Sequence, residues 1–160
     1  MPLIEERIAS VIGSTVFSDL DLTSGYWQFA LTESSQKLTA FICHLGLFEF
    51  IRMPFGLCNA GATFQRSMEQ MLKGLKFASA YIDDIIVHSK SHEEHIEHLN
   101  QVFERLRQAK LKIKLRKYHF GCRETKFLGF IISSEGVRMN RLLRTVLHLD
   151  RQKTHASGTA

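Results

Sequence analysis

The chain has 160 residues, 44% hydrophobic and 23% charged, with two prolines, three cysteines and a formal charge of +5. That is enough for one domain with a substantial core and too little for a large multidomain enzyme. No apolar run approaches the roughly 18 residues of a membrane-spanning helix. Cys43, Cys58 and Cys122 are odd in number and lack a Cys-x-x-Cys pair, which disfavours a disulfide framework or zinc ribbon and predicts reduced, partly buried thiols.

In chain order, Ile4, Ile8, Val11 and Ile12 have helical spacing, and Gly13 follows where a helix would end. Glu5 and Glu6 stand where a secretory signal would be basic, so the protein is expected to be intracellular and not secreted. Thr15 to Leu22 alternates as a strand. Leu38 to Leu45 and Leu47 to Met53 predict a hairpin about Gly46. Asn59 is the expected N-cap of a helix through about Leu75, with Phe64, Met68, Met71, Leu72 and Leu75 on one stripe.

Phe77 to Ile82 and Ile85 to Ser89 predict a tight hairpin with Asp83 and Asp84 at its tip. Ser91-His92-Glu93-Glu94 is a capping box opening a long helix, with Ile96, Leu99, Val102, Phe103 and Leu106 expected in the core. His92, His95 and His98 recur every three residues and are read as a solvated helix face. Leu111 to Arg116 alternates strictly, predicting a strand with one apolar and one cationic face; Phe127 to Ser133 is a further strand. Leu142 to Leu149 predicts one more amphipathic helix, and Gln152 to Ala160 a disordered end. Antiparallel strands with helices able to cover one face predict an α+β layer.

Charge is distributed unevenly: residues 1–104 carry 13 acidic against 7 basic side chains, whereas residues 105–126 carry 9 basic against one acidic. The cationic face Lys112, Lys114 and Arg116 is a candidate contact for nucleic-acid backbone, though lysines also protect exposed strand edges. Adjacent carboxylates inside an apolar stretch resist joint ionisation unless a cation or hydrogen bonds compensate. In a strand Asp83 and Asp84 would point to opposite faces, so only a turn brings both to one site. Hard carboxylates with open coordination suit magnesium; alone, Asp-Asp is also an ordinary turn dipeptide.

Tyr81-Ile82-Asp83-Asp84, preceded by Phe17 to Gln28 and by Arg52-Met53-Pro54-Phe55-Gly56-Leu57, resembles the palm of reverse transcriptases, above all those of gypsy-type long-terminal-repeat retrotransposon polyproteins. The likeness continues through Ala62 to Arg66, His88-Ser89-Lys90, Phe127 to Phe130 and Ser134 to Val137, and covers roughly residues 1–140. Gly61 and Tyr118 stand where the family usually has proline and cysteine. The resemblance implies a polymerase palm: residues 1–14 a helix leading in, 15–90 a core with catalytic strand and acidic hairpin, 91–140 a helix with basic and primer-grip-like strands, and 141–160 an unmatched basic tail.

It further implies RNA-directed DNA polymerase activity by two-metal nucleotidyl transfer at a primer 3′ end. Asp21, Asp83 and Asp84 would hold two Mg2+ ions, with Mn2+ a substitute. Tyr26, Phe55 and Gly56 would line the nucleotide pocket, Tyr26 excluding a 2′-hydroxyl, and Leu128, Gly129 and Phe130 would contact the primer. Expected partners are an RNA/DNA template-primer, deoxynucleoside triphosphates and the fingers, thumb and ribonuclease H regions of the polyprotein, which this chain largely lacks; no membrane is expected. The expected location is the cytoplasm, nucleus or a retroelement particle. An inactive retroelement remnant, or a noncatalytic nucleic-acid-binding α+β domain, remains open from sequence.

Overall fold

A four-stranded antiparallel sheet, order β4-β5-β1-β6, organises the computed structural model, which describes residues 4–114 and 119–140. Its strands are β1 (Val16–Asp21), β4 (Ala78–Tyr81), β5 (Asp84–Ser89) and β6 (His119–Cys122). Strand alternation sends successive side chains to opposite faces. Leu20, Ala78, Ala80, Ile85 and Val87 therefore share one side, where helices α3 (Ala60–Met71) and α4 (His92–Gln108) bury them beneath Phe64, Met68, Val102 and Leu106. Phe17 and Ile86 point the other way, into a second cluster with Val11, Phe127 and Ile132. Phe127 and Ile132 belong to a three-stranded meander of β7 (Glu124–Phe127), β8 (Phe130–Ser133) and β9 (Gly136–Met139).

The fold is thus α+β, an antiparallel sheet with its helices on one face. A short α1 (Ile4–Ala9) precedes β1, a 3-10 turn (Gly25–Gln28) and α2 (Glu33–Lys37) follow it, and β2 (Phe41–Cys43) with β3 (Gly46–Phe48) forms a separate hairpin. No described helix is long and apolar enough to cross a membrane.

Several sequence expectations shift. The β2–β3 strands are shorter than their apolar runs, and Cys43 pairs with Gly46, so the turn is His44-Leu45, before Gly46. Asn59 precedes α3 but its side chain makes no capping bond, and the helix stops at Met71. Ser91 does cap α4, accepting from Glu94 N–H at 3.2 Å while Glu94 Oε2 accepts from Lys90 N–H at 2.8 Å.

The inward face of α4 differs from the apolar expectation. His95, Val102 and Leu106 are buried while Ile96 is 64% exposed. Position 96 lies about 100° around the helix from 95, so satisfying His95 turns Ile96 outward. His95 is held by Ser18 Oγ at 2.6 Å and Ser89 Oγ at 2.8 Å, which makes an imidazole acceptable in the core. His98 meets Ser89 Oγ at 2.8 Å and stacks on Phe77. His95 and His98 are thus sheet-facing, not solvated, whereas His92 is exposed as expected.

Cys43 and Cys58 are exposed and Cys122 is half-buried, all three free. From 111 to 114 there is no regular strand: Leu22 bridges Ile113 alone. The alternation survives in burial, with Leu111 and Ile113 packed against the core and Lys112 and Lys114 exposed. Leu115, Arg116 and the expected helix and tail beyond Asn140 lie outside the described residues.

Candidate active site

Asp21 ends β1 and Asp84 begins β5, and the two are directly opposed in the antiparallel register. Between Tyr81, which pairs with Asp84, and Asp84 itself there are only two loop residues, Ile82 and Asp83. Asp84 is therefore the first strand residue and not part of the tip. Ile82 takes φ 51. A two-residue hairpin loop calls for positive φ at its first position, normally supplied by glycine. A β-branched residue there is strained, at a cost on the order of 1–3 kcal/mol.

The strain has a visible counterweight. Ile82 N–H donates to Gln65 Oε1 at 2.8 Å, and Gln65 Nε2 donates to Ala80 O at 3.0 Å and to Glu69 Oε1 at 3.1 Å. Gln65 is 2% exposed. Its side-chain amide acts as a one-residue strand along the edge of β4, on either side of Tyr81.

Asp83 is hemmed in from behind. A Cβ at Gly25 would collide with Asp83 Oδ1 and lie 2.8 Å from Phe64 Cζ. Asp83 Oδ1 is buried with no hydrogen-bond partner. Burial, then the charges of Asp21 and Asp84, push the Asp83 carboxyl above its ordinary value. The three carboxylates thus feel one another, and the unpartnered oxygen is the chemistry a hard divalent cation would relieve. Among the described residues, however, no three His, Cys, Asp or Glu side chains are gathered tightly enough to hold a metal ion in common.

Asp19 shares a face with Asp21 but serves elsewhere, meeting Thr125 Oγ1 at 3.3 Å and His119 Nδ1 at 3.2 Å. It ties β6 and β7 to β1. The segment after α4 is fastened to the same end of the sheet. Lys114 N–H donates to Asp21 O at 3.0 Å, and Gln28 bridges Thr23 O and both backbone groups of Lys112 at 2.6–2.8 Å. Lys112 and Lys114 are thereby brought beside the carboxylate strand, with exposed side chains.

Tyr26 lies in the 3-10 turn after β1, its ring centroid 5.4 Å from Phe55 and 5.2 Å from Phe64. Phe55 is 64% exposed, and Gly56 has φ 91, a conformation that favours glycine. Leu128 (φ 52) and Gly129 (φ 83) are the two-residue loop joining β7 to β8, where Phe127 pairs with Phe130. Leu128 packs against the Phe17–Ile86 cluster. The structure therefore brings Asp21, Asp83 and Asp84 to one sheet end and Tyr26, Phe55 and Gly56 to one aromatic cluster, with Leu128, Gly129 and Phe130 on the meander. Gly25 and Gln65 were missed by sequence reasoning. A glutamine on an otherwise apolar helix stripe was the available signal for Gln65, whereas the place of Gly25 behind Asp83 is visible only in the fold.

Residues 3–132 match the family described as Reverse transcriptase (RNA-dependent DNA polymerase). The chain is 38% identical over 138 residues to the Transposon Tf2-3 polyprotein of Schizosaccharomyces pombe, covering 85% of this chain and 10% of that protein. It is 39% identical over 142 residues to the retrovirus-related Pol polyprotein from transposon 297 of Drosophila melanogaster, covering 88% and 13%. Among solved structures, the foamy viral protease-reverse transcriptase dRH in complex with ds DNA superposes with a TM-score of 0.81 at 28% identity, over 92% of this chain and 27% of that one. The same viral protein in complex with RNA/DNA hybrid gives 0.78, also at 28% identity, over 88% and 19%. The chain thus spans between a tenth and about a quarter of these relatives. With the carboxylate hairpin, the palm-like sheet and the family match all falling on one stretch of sequence, the chain belongs to the reverse transcriptase (RNA-dependent DNA polymerase) family.

Proposed function

We propose that this chain is the catalytic palm of an RNA-directed DNA polymerase, with Asp21, Asp83 and Asp84 as its carboxylate centre. The observation that carries the reading is the buried, unpartnered Asp83 Oδ1 set beside two further carboxylates at the meeting of β1 and β5. All three are hard oxygen donors, so they fit Mg2+ or Mn2+ in chemistry. A pair of such ions, when bound, supplies charge stabilisation to the attacking and leaving oxygens of nucleotidyl transfer.

The chain's own residues would divide the remaining work. Asp21, Asp83 and Asp84 would hold the cations at the sheet end. Tyr26, backed by Phe55 and Phe64, would restrict space beside the incoming sugar, and Gly56 would let backbone approach the nucleotide. Leu128, Gly129 and Phe130 would support the primer end, while Lys112 and Lys114 would meet backbone phosphates. A template-primer as partner is supported by the DNA and RNA/DNA hybrid bound to the structural relatives. Deoxynucleoside triphosphates would be the substrates, and flanking polyprotein regions would complete the enzyme.

The test is Mg2+- or Mn2+-dependent extension of a DNA primer on an RNA template by the 160-residue chain, with Asp83→Asn as control. Extension abolished by Asp83→Asn supports the reading. No extension by the wild-type chain, or extension indifferent to the substitution, removes polymerase activity from it.

A further inference from the structure

We propose that Gln65 is the positioning residue of the carboxylate hairpin, clamping Ile82 in its left-handed conformation and so fixing the direction of Asp83; this rests on the carboxylate reading above.

A hairpin of this kind has a preferred solution, glycine at the first loop position, and this chain does not use it. Ile82 must hold φ 51 against its own Cβ. The next residue is Asp83, so any relaxation of Ile82 swings the carboxylate that Gly25 and Phe64 hem in. Leu22 N–H donates to Asp83 O at 3.2 Å, but the groups that hold Ile82 and the end of β4 come from a side-chain amide and not from strand backbone. Ile82 N–H is answered by Gln65 Oε1 at 2.8 Å, and Ala80 O by Gln65 Nε2 at 3.0 Å.

The orientation of that amide is fixed. Gln65 Nε2 also donates to Glu69 Oε1 at 3.1 Å, and the same oxygen accepts from Arg7 Nη2 at 2.6 Å. Rotating the amide would set its NH2 against Ile82 N–H and its oxygen against both Ala80 O and Glu69, losing every bond. A relay therefore runs from α1 through α3 to the metal-facing turn: Arg7 orients Glu69, Glu69 orients Gln65, and Gln65 holds Ile82. Helix α3 thereby does more than cover the sheet. It reads the backbone of β4 on both sides of Tyr81 and sets the loop beyond it.

The inference makes a specific demand on a double substitution. If Gln65 acts by holding a strained residue, removing the strain makes Gln65 less necessary. Gln65→Leu in the 160-residue chain should speed amide exchange at Ile82 about tenfold or more while exchange in Ile85 to Val87 stays within about threefold. Primer extension should lose on the order of a hundredfold in kcat, the scale of a misplaced reacting group, with the template-primer KM within about threefold. Ile82→Gly in the Gln65→Leu background should recover most of that loss. Unchanged Ile82 exchange, equal losses in kcat and affinity, or no suppression by Ile82→Gly would overturn the proposal.

Two further readouts keep it decidable. If Gln65→Leu does not fold, the intraresidue amide-to-Hα NOE of Ile82 in the wild-type chain decides, since a negative φ there leaves nothing to clamp. If the wild-type chain does not extend primers, the polymerase reading fails by itself. The clamp is then judged on Ile82 exchange and on the intraresidue amide-to-Hα NOE of Ile82, which Gln65→Leu should weaken and a purely structural glutamine would leave unchanged.

Discussion

Gly25 packs so closely behind Asp83 that its missing side chain is part of the carboxylate site: a Cβ there would overlap Asp83 Oδ1 and crowd the Phe64 ring. Both neighbours are constrained, Phe64 by full burial and Asp83 by the two-residue loop. Gly25→Ala should therefore destabilise the chain by about 1–3 kcal/mol, the usual cost of overpacking, and should also displace Asp83. Urea denaturation followed by circular dichroism measures the first effect. A midpoint indistinguishable from wild type would mean that the site has room to yield.

Asp83 should be a liability for stability. Its pKa is raised by burial and by Asp21 and Asp84, so the folded chain binds that proton more tightly than the unfolded chain. Folding is then favoured as pH falls through the raised value, and the charged group opposes folding above it. Asp83→Asn should accordingly stabilise the chain near neutral pH in metal-free buffer while abolishing extension. Urea midpoints taken at neutral and acid pH check this; a destabilised Asp83→Asn would contradict it.

The buried histidines act in the opposite sense. His88 is depressed to about 4 from 6.5 by burial, then by His98 and His95, with Glu94 opposing. His95 is lowered too, by burial first and then by His98 and His92. Lys76 and Lys90 line the same cavity as His88, His98 and Glu94, adding to the positive surroundings. The unfolded imidazoles take up protons near 6.5 while the folded ones stay neutral, so stability should be present above about pH 6.5 and be lost as pH falls toward about 4. His88→Gln should flatten this part of a stability-against-pH curve measured by thermal melting. A parallel curve of unchanged slope would exclude His88 as a source.

Tyr26 offers a test of the pocket that does not depend on overall rate. Its ring is wedged between Phe55 and Phe64 and belongs to a short 3-10 turn. Tyr26→Val removes bulk where the sugar would lie and should raise ribonucleotide use relative to deoxyribonucleotide about 10- to 200-fold, the range available to steric discrimination. Competing incorporation of the two nucleotide types measures it. An unchanged ratio would place the sugar elsewhere.

The paired strands β1 and β5 were legible because they rest on local patterns. In those two strands the alternation itself identifies strand and face. Asp21 and Asp83-Asp84, by contrast, stood out as a set only through the resemblance to reverse transcriptases, and the expected strand from Phe127 to Ser133 is broken by the Leu128-Gly129 loop. What was illegible depended on partners distant in sequence. His95 looks solvated until Ser18, 77 residues away, is seen to bond it. Lys112 sits in a cationic alternation, but Gln28 and Thr23 take its backbone groups, so no regular strand forms through residue 114. Gln65 reads as a polar interruption of an apolar stripe; only the fold supplies the unsatisfied N–H of a strained isoleucine that explains it.

The register of β1 against β5 also has a consequence for assembly. Asp21 opposes Asp84 only when Leu20 opposes Ile85 and Phe17 opposes His88. A slip of one residue would part the carboxylates and, in the same motion, turn Leu20 and Phe17 to the wrong sides of the sheet. Hydrophobic burial therefore proofreads the alignment of the charged pair: a chain whose carboxylates are out of step also has its core inside out, so misalignment of the pair is coupled to loss of the fold.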